Sequence, residues 1–259
     1  MPNIALVTGA SSGIGREIAI YHAQRGGDVV IVARREEALE ALKREIEDGH
    51  GVSVHIVPLD LGTPDAAQDL YDRVTSAGLQ VDILINNAGF GGHGEFVTRP
   101  LDDDLGMIDL NVRTLVALCH LFGADMAQRG KGRILNVSST AAHMPGPLQA
   151  TYFATKAFVS SFSQAIDHEL RPRGVTVTAL EPGYVETEFA ARADLDGTDL
   201  VKSGATPREV AKIGYDAMME GRLTVINDGK LNFALNWLLP WMPRRTKLKF
   251  VRRMQEKRS

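Results

Sequence analysis

Short apolar runs rich in β-branched residues recur along this chain, each leading into a stretch with helical spacing. The runs are Ile4–Thr8, Asp28–Ala33, Val52–Pro58, Asp82–Asn86, Arg133–Val137, Val175–Glu181 and Leu223–Asn227. Most are continuous rather than alternating, the pattern of strands covered on both faces. Between them, segments such as Glu36–Glu47 and Thr63–Ala77 carry apolar residues three and four apart. This alternation predicts an α/β fold with a parallel sheet between two helical layers, and right-handed crossovers make a doubly wound sheet its natural closure. No internal repeat or low-complexity linker breaks the rhythm, so one domain is expected. Ligands of such sheets bind beyond the carboxyl ends of the strands, which directs attention to residues after the first, fourth, fifth and sixth runs.

Composition sets outer limits. With 44% apolar and 24% charged residues in 259, the chain has the makings of a soluble globular protein with a sizeable core. A single cysteine, Cys119, excludes an internal disulfide or a cysteine metal cluster and fits a reducing, cytoplasmic compartment. The opening residues lack a basic region and a long apolar run, so no signal peptide is expected, and no segment reads as a membrane span of roughly 20 apolar residues. The net charge of −3 is uneven: residues 230–259 hold nine basic side chains and one acid, leaving −11 on residues 1–229. An acidic body argues against nucleic acid as partner.

The first run leads directly into Thr8-Gly9-Ala10-Ser11-Ser12-Gly13-Ile14-Gly15-Arg16, followed by a helical pattern at Glu17–Gln24. Glycines here let the backbone turn sharply and approach a pyrophosphate, while a helix N-terminus offers unpaired N–H groups to the phosphates. The spacing is not the usual G-x-G-x-x-G, and a Gly-rich turn without a ligand is the plain alternative. The second run ends in Ala33-Arg34-Arg35 with no acid at its tip. An acid there would hold the ribose of NAD; two guanidiniums favour the 2′-phosphate of NADP(H), with Arg16 assisting, and NAD(H) stays open.

Beyond the fifth run lie Ser138-Ser139 and then Tyr152-Phe153-Ala154-Thr155-Lys156. Tyr152 and Lys156, four apart in a helical stretch, share a face. An ammonium beside a phenol lowers its pKa and makes it an acid or base for catalysis, although such pairs also arise by chance. With Thr8-Gly-x-x-x-Gly13-x-Gly15, Asp60, Asn86-Asn87-Ala88-Gly89, Asn111, Ser139, Tyr152, Lys156 and Pro182-Gly183-Tyr184-Val185-Glu186-Thr187 in this order, the chain resembles the classical short-chain dehydrogenase/reductase family.

The resemblance implies a Rossmann-type fold with a seven-stranded parallel sheet, a homodimer or homotetramer, and NAD(P)-dependent oxidoreduction of CH–OH and C=O groups. It makes residues 1–229 the catalytic domain, and residues 230–259 an extension of that domain or of its oligomer interface. Gly9, Ser11, Ser12, Gly13, Ile14, Gly15 and Arg34 would hold the adenosine and phosphate end, with Asp60 and Leu61 at the adenine. Asn87, Ala88 and Gly89 would flank the cofactor; Pro182, Gly183, Val185 and Thr187 would line its nicotinamide side. Tyr152 would be the general acid, Lys156 its ribose-holding partner that lowers its pKa, and Ser139 the oxyanion donor. Asn111 would hold a water linking Lys156 to solvent. No metal is implied. The reaction expected is NADPH-dependent reduction of a hydrophobic ketone. Its alternatives are an NAD-dependent secondary-alcohol dehydrogenase and a non-catalytic nucleotide-binding sensor or scaffold.

His93 and His143 read as pocket lining or exposed residues, Cys119 as core, and Asp102, Asp103 and Asp104 as capping and charging the start of the helix leading to Asn111 rather than binding metal. Phe90, Met144, Pro145, Leu148, Tyr184 and Phe189 would make an apolar substrate pocket, with Glu188–Thr206 as a lid. The segment Leu231–Pro243 is apolar and a basic helical stretch follows; it fits internal or oligomer packing, pocket extension, or an anionic membrane surface.

Overall fold

The computed structural model describes residues 3–257 apart from 199, 200, 202 and 203. Seven strands, β1 (Ile4–Thr8), β2 (Asp28–Ala33), β3 (Val54–Pro58), β4 (Val81–Asn86), β5 (Gly132–Val137), β6 (Val175–Leu180) and β7 (Thr224–Val225), form one parallel sheet. Their order is β3-β2-β1-β4-β5-β6-β7, which puts the reversal of winding between β1 and β4. Adjacent residues of one strand serve opposite faces. Ala5 and Val7 of β1 pack into the layer that holds Ile18, Leu39, Val210 and Tyr215, whereas Leu6 joins Leu84, Leu118, Phe122 and Val159 on the other side. That two-sided burial explains why the strand sequences are continuously apolar.

The helices are α1 (Gly13–Ala23), α2 (Glu36–His50), α3 (Ala66–Ser76), α4 (Leu101–Ile108), α5 (Leu115–Arg129), α6 (Ala150–Leu170), α7 (Phe189–Arg192), α8 (Pro207–Met219), α9 (Gly229–Phe233) and α10 (Arg244–Gln255). Helix α1 begins at Gly13, four residues earlier than its apolar pattern indicates, so Gly13 and Gly15 belong to its first turn. Strand β7 is shorter than its apolar run because, as an edge strand, it pairs with β6 alone through Thr224 and Val225.

Two further expectations need correction. Asp102, Asp103 and Asp104 charge the first turn of α4 as expected but do not cap it; Pro100 takes that position, and Asp104 is buried against Arg99 at 3.4 Å. Helix α4, a π turn at Asp109–Thr114 and α5 also run on as one helix, Leu101–Arg129, with a markedly apolar 18-residue stretch inside it. By length and composition that helix could cross a membrane, contrary to the sequence reading. In the fold, Leu118, Cys119, Phe122 and Met126 of α5 are buried against the sheet.

Candidate active site

A cavity of about 950 Å³ opens at the carboxyl ends of β1, β4, β5 and β6. It is lined by Gly9, Ser11, Ser12, Gly13, Ile14, Arg34, Asp60, Leu61, Asn87, Ala88, Gly89, Ser139, Tyr152, Lys156, Pro182, Gly183, Val185 and Thr187. Of the residues assigned from sequence, Gly15 and Asn111 lie outside the lining.

The phosphate loop is built by tight backbone approach. Gly9 (φ +66°) and Gly13 (φ +59°) take left-handed conformations that favour glycine, and a Cβ on Gly9 would stand 2.9 Å from Ala88 Cα. Gly15 serves packing instead: a Cβ there would lie 2.6 Å from the Gly9 carbonyl oxygen. The loop is clamped to β4 by Thr8, whose hydroxyl accepts from the Asn87 and Ala88 amides, both at 3.0 Å. Asn87 Nδ2 returns a bond to the Thr8 carbonyl at 3.0 Å. The N-terminus of α1, where Ser12 makes no side-chain cap, therefore faces the cavity. Together with the glycine cradle, it fits a dinucleotide pyrophosphate.

At the far end, Arg34 is 67% exposed and its only described ion pair is a long one, 3.9 Å to Asp60. Arg35 also lines the cavity, reaching Ser11 Oγ at 3.1 Å and Glu188 at 3.0 Å. Arg16 does not assist them: it pairs with Glu17 and Glu45 and is absent from the lining. Two cations, Arg34 and Arg35, thus line this end of the cavity.

Tyr152 and Lys156 project from one face of α6. Burial pushes the Tyr152 phenol up to about 12, partly offset by the Ser139 hydroxyl, and pulls the Lys156 ammonium down to about 8. The expected lowering of the tyrosine by lysine is not realised in this geometry. Lys156 Nζ lies 5.7 Å from the phenol ring centroid and donates to the Val137 carbonyl at 2.9 Å, so desolvation dominates both groups. Ser139 caps a 3₁₀ turn (Thr140–His143), its Oγ accepting from the Ala141 amide at 3.1 Å.

Asn111 sits behind the cavity wall in the π turn. Its Nδ2 donates to the Phe90 carbonyl at 2.9 Å and to Thr155 Oγ1 at 3.2 Å, while its Oδ1 accepts from the Phe90 amide at 3.1 Å. The side chain anchors the strand-four loop to α6. Neither histidine lines the cavity: His93 bonds the Gln255 carbonyl at 2.7 Å, and His143 bonds buried Glu181 at 2.8 Å. Cys119 is buried and burial raises its thiol to about 12.

Of the expected apolar pocket, Phe90, Met144, Tyr184 and Phe189 line the cavity, whereas Pro145 and Leu148 do not. Leu148 instead holds a left-handed backbone (φ +72°) whose carbonyl accepts from the Gly94 amide at 2.8 Å. In the segment expected to form a lid, Ala205 makes a parallel bridge to Val185, which precedes the segment; residues 199, 200, 202 and 203 lie outside the described residues. Leu231, Val251, Met254 and Gln255 complete the wall from the C-terminal segment, and sequence reasoning did not assign them. Their signal was present: Val251, Met254 and Gln255 recur at three and four residues in an otherwise basic helix. Gln149 and Gln255, both buried, share one hydrogen bond at 2.7 Å and leave Gln149 Oε1 and Gln255 Nε2 without partners.

The family model described as short chain dehydrogenase matches residues 3–196. This chain belongs to the short-chain dehydrogenase/reductase family. Among curated relatives, it is 36% identical to the very-long-chain 3-oxoacyl-CoA reductase of Anas platyrhynchos, covering 72% of this chain and 61% of that one. It is 37% identical to the 17-beta-hydroxysteroid dehydrogenase type 3 of Homo sapiens, covering 71% and 59%. The match thus spans about three fifths of the length of these relatives. Among solved structures, a short-chain dehydrogenase from Sphingobium yanoikuyae in complex with NADPH superposes with a TM-score of 0.82 at 31% identity, covering 94% of this chain and 97% of that one.

Proposed function

We propose that this protein reduces the carbonyl of an apolar ketone to a secondary alcohol with NADPH, reversibly, using Tyr152 as proton donor. The observation that carries this reading is a half-buried, protonated phenol beside Ser139, in a cavity with apolar walls at one end and two arginines at the other. The bound dinucleotide supplies the hydride. Tyr152 gives its proton to the carbonyl oxygen, and Ser139 Oγ donates a hydrogen bond to that oxygen as negative charge develops. Lys156, cationic below about pH 8, orients the nicotinamide ribose and places positive charge near the phenol. Asn111 acts as a positioning residue, holding the loop that carries Gly89 and Phe90. Arg34 and Arg35 take the 2′-phosphate, which sets the preference for NADP(H) over NAD(H).

The wall of Phe90, Met144, Phe153, Phe189, Val251 and Met254 favours a long or ring-shaped substrate over a small polar one. The names of the two curated relatives, an acyl-CoA reductase of very long chains and a hydroxysteroid dehydrogenase, are in keeping with this. In this reading residues 1–229 are the catalytic domain, residues 230–259 its extension, and the enzyme works as a homodimer or homotetramer. Its unpaired, buried Cys119 suits a reducing, cytoplasmic setting. The test is NADPH oxidation against ketones graded in chain length and ring number. Catalytic efficiency, kcat/KM, should rise with apolar size; a preference for small polar ketones would sink the substrate assignment.

A further inference from the structure

The C-terminal segment has two faces with different characters. From α9 through the turns that follow it, Leu231, Leu235 and Leu239, spaced by four, point inward; Leu231 lines the cavity, and Leu235 and Leu239 are buried. Phe233, Trp237 and Trp241, also spaced by four, point outward, and Trp237 and Trp241 are 67% and 86% exposed. Helix α10 repeats the division. Val251 is buried against Ala141 and Phe153, next to Tyr152, while Arg244, Arg245, Lys249, Arg252 and Arg253 are exposed with Phe250. Arg252 reaches Glu95 at 3.2 Å, so exposed Phe96 and Val97 adjoin the same helix.

Six of the fourteen exposed large apolar side chains among the described residues fall between Phe233 and Phe250, including both tryptophans of the chain. They are interleaved with the +8 charge of residues 230–259, on a protein whose remainder is −11. Exposed indoles beside clustered arginines and lysines match the interface of an anionic bilayer, where rings enter the headgroup level and cations meet lipid phosphates. Each basic residue at such a surface strengthens partitioning by about fivefold. A second copy docking face to face would instead oppose two strongly cationic surfaces.

We infer that residues 229–257 dock this protein on an anionic phospholipid membrane, with the inner face of the docked segment forming one wall of the substrate cavity. The inference deepens the apolar-substrate reading, since the cavity wall then lies against the phase in which such a substrate dissolves. Docking itself requires no turnover, and its test is independent of activity.

Both tryptophans lie in the docking segment, so the intrinsic indole emission of the full chain reports on it alone. Vesicles of phosphatidylcholine with phosphatidylserine should shift that emission to the blue and carry the protein into the pellet. Vesicles of phosphatidylcholine alone should do so at least tenfold less, and added salt should reverse the binding. Trp237→Ser with Trp241→Ser, and separately Arg244→Glu with Arg245→Glu, should each reduce pelleting at least tenfold while NADPH binding persists. Absence of both blue shift and pelleting overturns the proposal, as does equal binding to the two vesicle types. It is also overturned if the tryptophans are already shielded in solution and the paired serine variant dissociates an oligomer, which assigns the face to a second copy. Pelleting without ketone reductase activity would leave docking standing and remove the substrate reading.

Discussion

At Tyr152 burial and function pull in the same direction. A phenol held near 12 stays protonated at neutral pH and can give its proton to a carbonyl oxygen, whereas alcohol oxidation first needs the phenolate. Tyr152→Phe should lower ketone turnover by about 10²- to 10⁴-fold while leaving NADPH affinity within a small factor; steady-state rates and cofactor fluorescence separate the two effects. Lys156 supplies the pH limit. Its pKa is lowered, so the cation is present below about pH 8 and lost above it. The kcat/KM for reduction should therefore hold steady up to about pH 8 and decline beyond, and a profile still rising there would contradict the role given to Lys156. Arg34, mostly exposed and only loosely paired, is available to a phosphate. Arg34→Asp should weaken NADPH binding by tenfold or more, an estimate based on a charge-assisted hydrogen bond of about 1.5–3 kcal/mol, and raise relative affinity for NADH. Titration with each cofactor reads the ratio.

Individual elements were legible in the sequence to the extent that one periodicity governed them. β1, β2 and β4 have near-uniform apolar runs because both faces are covered, so their bounds agree with the pattern to within a residue. The start of α1 was obscured because its first turn holds two glycines, Gly13 against Thr187 and Gly15 against Asn87 and the Gly9 carbonyl, which leave no amphipathic mark. The role of α10 was obscured because its basic residues outnumber the few that face the cavity. Buried His22 was equally silent. It joins α1 to α8 through Tyr215, Nδ1 to hydroxyl at 2.8 Å, and burial lowers its pKa below 6.5. The unfolded chain then takes up a proton more readily than the folded one as pH falls through 6.5, so folding stability should drop on acidification. Urea denaturation between neutral pH and pH 5 should show a shallower loss in His22→Asn than in the parent. Equal slopes would mean that His22 is not the sensor.

On the scale of the whole molecule, one cavity is assembled from opposite ends of the chain. In the proposed reading its phosphate end comes from the first strands and the α1 N-terminus, and its proton-transfer centre from β5 and α6. Part of its apolar wall comes from the last helix, more than two hundred residues from Gly9. The glycine loop, Ser139, Tyr152 and Lys156 were readable from sequence because topology gathers strand ends at one edge of a parallel sheet. The return of α10 over that edge follows no comparable rule, since it rests on a small apolar contact among Val251, Ala141 and Phe153 and on hydrogen bonds that tie Gln255 and Arg252 to residues far away in sequence. This division makes cofactor and substrate affinity separable. Val251→Ala with Met254→Ala removes wall without touching the glycine loop or the two arginines, and should raise KM for a bulky apolar ketone on the order of tenfold, the scale of lost methylene contacts in a pocket. The NADPH dissociation constant should stay within about twofold, well below the tenfold that corresponds to 1.4 kcal/mol. Parallel damage to both constants would mean that α10 braces the entire cavity; an unchanged KM would place the substrate away from this wall, against Phe90 and Phe189 alone.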